Sequence, residues 1–326
     1  MIRPERYISQ ESGQVLPDPA VASAVLDGLS RMPKCLPPRL LYDARGSALF
    51  EQITCLPEYY PTRTEAAILT THADEICNRL GQNVSVGELG AGTATKTRIL
   101  LRSLLQRQCS VDYFPLDVSD AALQVAKDEM EEELQAIRVH PQIGGFEDLA
   151  FLRQQSPPRL ILYIGSSIGN LDQKEAIALL QNVALQLSPG DQLLLGADLV
   201  KDGGVLHAAY NDSAGITAKF NKNLLARINR ELGGHFKADA FRHISFWNED
   251  ASRVELHLES TRPQSVRVDA LDTTLAFGQG ERIHTENSYK YTVEGLEHLL
   301  RDGGFEVEHI WTDPDRWFAV CLAIVR

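Results

Sequence analysis

An apolar run at residues 84–89 stops at two glycines one residue apart, and an amphipathic stretch follows at once. The junction, Gly87 to Thr97, reads GELGAGTATKT. A strand that ends in a glycine turn and re-emerges as a helix is the start of a crossover, the connection that parallel strands require. The alternation continues along the middle of the chain. Further strands are predicted at 111–116, 138–143, 159–164 and 192–196. A helix is predicted over Thr97–Leu105, where Ile99, Leu100, Leu104 and Leu105 lie on adjoining faces. Another opens at Asp172 with Glu175 three residues on, the pattern of a capping box.

The end of the chain departs from this rhythm. A helix near 293–300 closes at Gly303-Gly304, and two strand-like runs, 305–311 and 317–325, flank Asp313-Pro314-Asp315. So short a turn joins only antiparallel strands. The class expected is therefore α/β: a Rossmann-like sheet, parallel but finished by an antiparallel hairpin strand. That is the layout of class I S-adenosylmethionine-dependent methyltransferases rather than of a dinucleotide dehydrogenase half. Residues 65–200 and 291–326 are assigned to this domain. Residues 10–64 and 201–290, where runs such as VELHLESTRPQSVRV alternate like antiparallel strands, are assigned to a second, smaller α+β substrate domain.

Bulk properties narrow the partners. The chain has 326 residues and a formal net charge of −12, without a Lys/Arg-rich block. Nucleic acid and anionic membrane surfaces are unsuited to it, and a small-molecule substrate fits better. No apolar run approaches the roughly 20 residues of a membrane span. The opening MIRPERYISQESGQ is polar and mixed in charge, unlike a signal peptide. The five cysteines are scattered without a CxxC, and the nine histidines show no HExxH spacing, so no metal is expected. A cytoplasmic monomer is the expectation.

The glycine turn lets a ligand approach the backbone and aims helix N-terminal amides at it. The third glycine of a dinucleotide fingerprint is missing from Gly90-Ala91-Gly92-Thr93-Ala94-Thr95. Glu88, just before the turn, is a poor neighbour for phosphate and suits a ligand carrying an amine and a sulfonium. Asp117 stands 27 residues after Gly90 at the end of the next strand, where a carboxylate accepts hydrogen bonds from ribose hydroxyls.

Longer motifs carry a resemblance. LPPRLLYDARGSALFEQITCLPEYYPTRTEAAIL, GELGAGTATKT, YIGSSIGNL, GADLVKDGGVLHAAYNDSAGITAKFNKNLLARINREL and RIHTENSYKY…WTDPDRWFAVCLA together resemble the histidine-specific S-adenosylmethionine-dependent methyltransferases of ergothioneine biosynthesis, from about Leu36 onward. The resemblance implies that Gly90, Lys96, Asp117 and Phe146 line the S-adenosylmethionine site. It implies that Tyr59, Asn170 and Tyr210 grip the amino acid's backbone end, with Tyr42, Gly165 and Asn170 at the reacting amine. Glu286 and Ser288 of TENS would recognise the imidazole: the acid pairs with one ring N–H and the hydroxyl meets the other nitrogen.

Two positions depart from the family pattern. Gly144-Gly145-Phe146 stands where the family has Gly-Asp-Phe, so the carboxylate expected at the adenine amino group is missing; substitution by Glu147 or Asp148 is one expectation, and weaker cofactor binding is the alternative. Leu256 stands in place of a methionine near the side-chain pocket, a volume-conserving change. Single residues also have plainer readings: Asn170 as a loop cap, Tyr210 and one of Tyr59/Tyr60 as packed aromatics, Lys96 as a surface lysine, Glu286 as a solvated strand residue. His243, His257 and His284 read as packing or surface residues. The leading function is trimethylation of the histidine α-amine. The alternatives are another aromatic amino acid as acceptor, tryptophan or tyrosine, and a non-catalytic S-adenosylmethionine sensor. An NAD oxidoreductase is disfavoured.

Overall fold

The computed structural model describes residues 18–326. The polar N-terminal stretch and the first residues of the assigned substrate domain lie outside the described residues. The chain divides into two compact units. The larger comprises Glu51–Asp212, Trp247–Val254 and Asn287–Arg326; the smaller comprises the described residues up to Phe50, Ser213–Phe246 and Glu255–Glu286.

The larger unit is built on an eight-stranded sheet. Its order runs Phe305–Thr312, Phe318–Val325, Gln192–Asp198, Arg159–Tyr163, Ser85–Leu89, Val111–Asp117, Ile137–Val139, with Gln142–Ile143 also pairing to Val111–Asp117. Every pairing from Gln192–Asp198 to Ile137–Val139 is parallel. Phe318–Val325 runs antiparallel to both its neighbours, and the short Asp313-Pro314-Asp315 turn accounts for its pairing with Phe305–Thr312. This is the class I methyltransferase arrangement. Alternate residues face opposite sides: Leu160, Leu162, Leu194, Val320 and Leu322 join one apolar layer, and Ile161, Tyr163, Leu193, Leu195 and Cys321 the other. Covering both faces explains why these strands read as continuous apolar runs.

The predicted strand at 138–143 is broken in two. Pro141 has no N–H to offer the ladder. On either side, His140 N donates to Tyr113 O at 2.8 Å and Gly144 N to Asp117 O at 3.1 Å, so the segment stays alongside its neighbour. The Thr97–Leu105 helix forms as read, and the Asp172/Glu175 capping box is made in both directions, at 2.8 and 2.9 Å.

Lys34–Cys35 pairs parallel with the strand Arg282–Tyr289, in a four-stranded sheet completed by Arg253–Ser260 and Phe241–Asn248, most of whose residues belong to the smaller unit. A separate hairpin pairs Gln264–Val268 with Thr273–Phe277, antiparallel. Helices Pro19–Ser30 and Ile216–Leu232 complete the smaller unit.

Candidate active site

The chain enters the parallel sheet at its middle, moves outward through Val111–Asp117, then returns to the other side of Ser85–Leu89 as Arg159–Tyr163. Ligands of open α/β sheets bind beyond the carboxyl ends of the strands at such a reversal. Gly90 and Gly165 follow the two strands that meet there. Both have positive φ, +71° and +84°, as does Gly92 at +52°. These are backbone conformations that residues with a Cβ seldom adopt.

The first turn is pinned by Leu116 O, which accepts from Gly90 N at 2.9 Å and Ala91 N at 3.0 Å. The Asp117 carboxylate accepts from Gly92 N and Ser119 N, each at 2.9 Å. Nothing lies within 4 Å of where a Cβ on Gly92 would stand, while the Phe146 ring edge is 3.6 Å from the corresponding point on Gly90. Gly90, Gly92, Asp117 and Phe146 thus form one corner with open space over its backbone, a cradle that fits a nucleoside bearing ribose hydroxyls.

Glu88 does not face that space. It is buried, and its carboxylate accepts from the Thr97 hydroxyl at 2.8 Å and from the Tyr113 hydroxyl. The suggestion that it faces a cationic ligand is therefore corrected: it ties the strand to the following helix. Burial pushes its carboxyl up to about 7.

The second turn rests on a residue that sequence reasoning missed. Glu65, fully buried on the helix Tyr60–Asn78, accepts from Gly165 N with both oxygens at 2.9 Å and ion-pairs with Lys96. Lys96 Nζ lies 3.3 Å from where a Cβ on Gly165 would stand. Lys96 is therefore not an ordinary surface lysine. Asn170 ends the 3-10 turn Ser167–Asn170 that follows Gly165.

A buried charge network lies beside these turns. Asp198 is wholly buried at the end of its strand. Its carboxylate pairs with Lys201 at 2.6 Å and Lys290 at 2.7 Å, and accepts from the Tyr60 hydroxyl at 2.7 Å. Lys290 Nζ also donates to Tyr210 Oη at 2.8 Å and Ser288 Oγ at 2.7 Å, and those two hydroxyls are 2.7 Å apart. The Tyr59 ring meets Tyr210 edge-on at 6.0 Å. Of the two neighbouring tyrosines, Tyr60 is the one anchored to Asp198. Burial lowers the Lys201 amine to about 8 against the opposing pull of Asp198. Tyr59, Tyr210 and Ser288 are brought together, with Lys290, Asp198 and Lys201 behind them. The signal for Lys290 was its place two residues after Ser288 in TENSYK.

In the smaller unit, Tyr42 packs edge-on against Phe50 at 5.6 Å and Phe220 at 5.4 Å. Glu286 is buried on the strand Arg282–Tyr289. Ser288 is two residues on along the same strand, so both side chains leave the same face. Leu256 is buried, and its carbonyl accepts from the Thr285 hydroxyl at 3.0 Å. His257 stacks on Phe246 at 5.5 Å and His243 meets the Asn221 amide at 2.9 Å, both in packing roles.

At the family departure, the Glu147 carboxylate occupies the space that a Cβ on Gly145 would take. Asp148 is engaged elsewhere, accepting from Ala150 N at 3.1 Å.

Residues 21–325 match the model of a family described as histidine-specific methyltransferase, SAM-dependent. The chain belongs to this family. It is 44% identical to a Histidine N-alpha-methyltransferase of Mycolicibacterium smegmatis, over 94% of this chain and 95% of that one. It is 39% identical to a Histidine N-alpha-methyltransferase of Mycobacterium tuberculosis, over 97% of each. It is 32% identical to Ergothioneine biosynthesis protein 1 of Neurospora crassa, over 90% of this chain and 34% of that protein. For a member of this family, S-adenosylmethionine is the methyl donor. No helix among the described residues is long and apolar enough to cross a membrane.

Proposed function

We propose that this enzyme transfers methyl groups from S-adenosylmethionine to the α-amino nitrogen of L-histidine, three times in succession, giving histidine betaine (hercynine) for ergothioneine biosynthesis. The observation that carries the reading is the 44% identity, over nearly the full length of both chains, to a relative named for that reaction.

When bound, the cofactor supplies an electrophilic methyl group on a sulfonium. Gly90, Lys96, Asp117 and Phe146 hold it at the glycine corner. The rest of the task is alignment and exclusion of water, since an in-line displacement gains most from fixed geometry. Tyr59, Asn170 and Tyr210 hold the carboxylate through neutral donors. Glu286 and Ser288 read the ring, while Tyr42 and Gly165 stand at the amine. The amine attacks as the neutral base, and a neighbouring positive charge lowers its pKa and so favours that form. Indole and phenol rings cannot engage both Glu286 and Ser288, and the unpaired groups disfavour tryptophan and tyrosine.

Mass spectrometry of histidine incubated with the protein and S-adenosylmethionine tests the reading. Mass gains of one, two and then three methyl groups are expected. Histidine left unchanged while tryptophan or tyrosine gains mass would overturn it, as would cofactor binding without any transfer.

A further inference from the structure

Lys290 is fully buried and offers three N–H donors and no acceptor. All three have partners: Asp198 at 2.7 Å, Tyr210 Oη at 2.8 Å and Ser288 Oγ at 2.7 Å. Asp198 holds the ammonium in place, and is itself held by Lys201 and the Tyr60 hydroxyl. The lysine is therefore a fixed tripod rather than a mobile charge.

This has a consequence for the two hydroxyls. An ammonium cannot accept a hydrogen bond, so neither hydroxyl proton points at Nζ. Each oxygen already accepts one N–H, and each O–H bond is turned away from the lysine. Without a ligand, one of the two protons lies between the oxygens, which are 2.7 Å apart. A ligand offering two acceptors draws both outward.

We infer that Lys290 is a positioning residue that makes Tyr210 and Ser288 hydrogen-bond donors toward the substrate, so that the imidazole is accepted only in its neutral form. The inference rests on the function proposed above, and deepens it. A carboxylate and an unprotonated ring nitrogen are both acceptors, and match the two outward O–H groups. An imidazolium carries N–H on both nitrogens and has nothing to accept from Ser288. The Lys290 charge also repels it.

The charged and titratable groups around this pair include Asp198, Lys201, Lys290, Tyr60 and Tyr59, with Glu286 two residues before Ser288. Glu286 works in the opposite sense, because an anion alone favours the imidazolium. The pH dependence of substrate binding therefore decides between the two.

The experiment measures KM for histidine from pH 5.5 to 7.5 at saturating S-adenosylmethionine, for the wild type and Lys290→Met, with cofactor affinity and thermal unfolding alongside. In the wild type, KM should rise about tenfold per pH unit below the imidazole pKa of about 6.5. In Lys290→Met, KM at pH 7.5 should be about tenfold or more above wild type and should change less than about twofold per pH unit, with cofactor affinity kept within about twofold; a tenfold change is the worth of one good charge-assisted hydrogen bond. A wild-type KM that is flat or falls toward acid overturns the inference, as does a variant that keeps the wild-type slope.

Should the variant fail to fold, wild-type enzyme with pyrrolylalanine, whose ring has an N–H but no acceptor nitrogen, replaces it. A kcat/KM about 100-fold or more below that of histidine is expected, because a buried donor is left unpaired; comparable turnover sinks the idea. Failure to methylate histidine at all would sink the proposed function instead. Methylation with a pH-independent KM would sink only the role given to Lys290.

Discussion

Gly165 N donates to both oxygens of Glu65, a residue 100 positions earlier, at 2.9 Å each. The same carboxylate neutralises Lys96, so one buried acid sets both a glycine turn and the lysine beside it. Glu65→Ala leaves Lys96 and the Gly165 amide without that partner. Losing one member of a buried ion pair costs about 3–5 kcal/mol. A fall in unfolding free energy of that size is expected in urea titrations, with S-adenosylmethionine affinity weakened about tenfold or more. Glu65→Gln keeps an acceptor for Gly165 and should recover more of the stability than of the cofactor affinity.

Glu88 makes stability depend on pH. Its folded-state pKa, about 7, lies above the ordinary 4.5. Between those values the folded protein binds more protons than the unfolded chain, so stability from this group is full below about 4.5 and is lost as pH rises through 7. The loss is on the order of 3 kcal/mol. Glu88→Gln stays neutral throughout. The unfolding free energy of wild type minus that of Glu88→Gln should fall by about that amount between pH 4.5 and 8. A constant difference would mean that Glu88 is ionised in the folded state across the whole range.

The Glu147 carboxylate lies where an aspartate at 145 would begin. Glu147→Ala is expected to raise the S-adenosylmethionine dissociation constant about tenfold, the worth of one charge-assisted hydrogen bond, and to leave histidine KM near wild type. Adding Gly145→Asp to that variant should restore most of the affinity. Calorimetry measures both, and unaltered affinity in Glu147→Ala removes the residue from the cofactor site.

Glu286→Ala should lower kcat/KM for histidine about 100-fold or more while changing cofactor affinity less than about twofold. Steady-state kinetics and cofactor titration on the same preparation decide it. Equal losses in both would take Glu286 away from the ring.

Much of the sheet was legible because both its faces are buried. Apolar runs such as Arg159–Tyr163 announce themselves, and the turn at Gly90 marks where the first strand must end. The break at Pro141 is legible too, since proline has no N–H for the ladder, although the expected strand at 138–143 ran through it. The charged residues were harder. Glu65, Asp198, Lys201 and Lys290 each look like solvated side chains in a linear reading. Their burial follows only when segments near 60, 198 and 290 meet, and no local periodicity encodes that meeting. Glu88 was read as facing outward for the same reason: its partners Thr97 and Tyr113 lie on the next helix and the next strand.

The chain as a whole carries a formal net charge of −12, yet around Asp198 two ammonium groups share one carboxylate. The local excess of one positive charge attracts a carboxylate and repels an ammonium group. A dipolar molecule in such a field is turned as it arrives, its acid end leading and its amine trailing. Orientation thus begins before any hydrogen bond forms, set by a charge imbalance that the fold carries permanently.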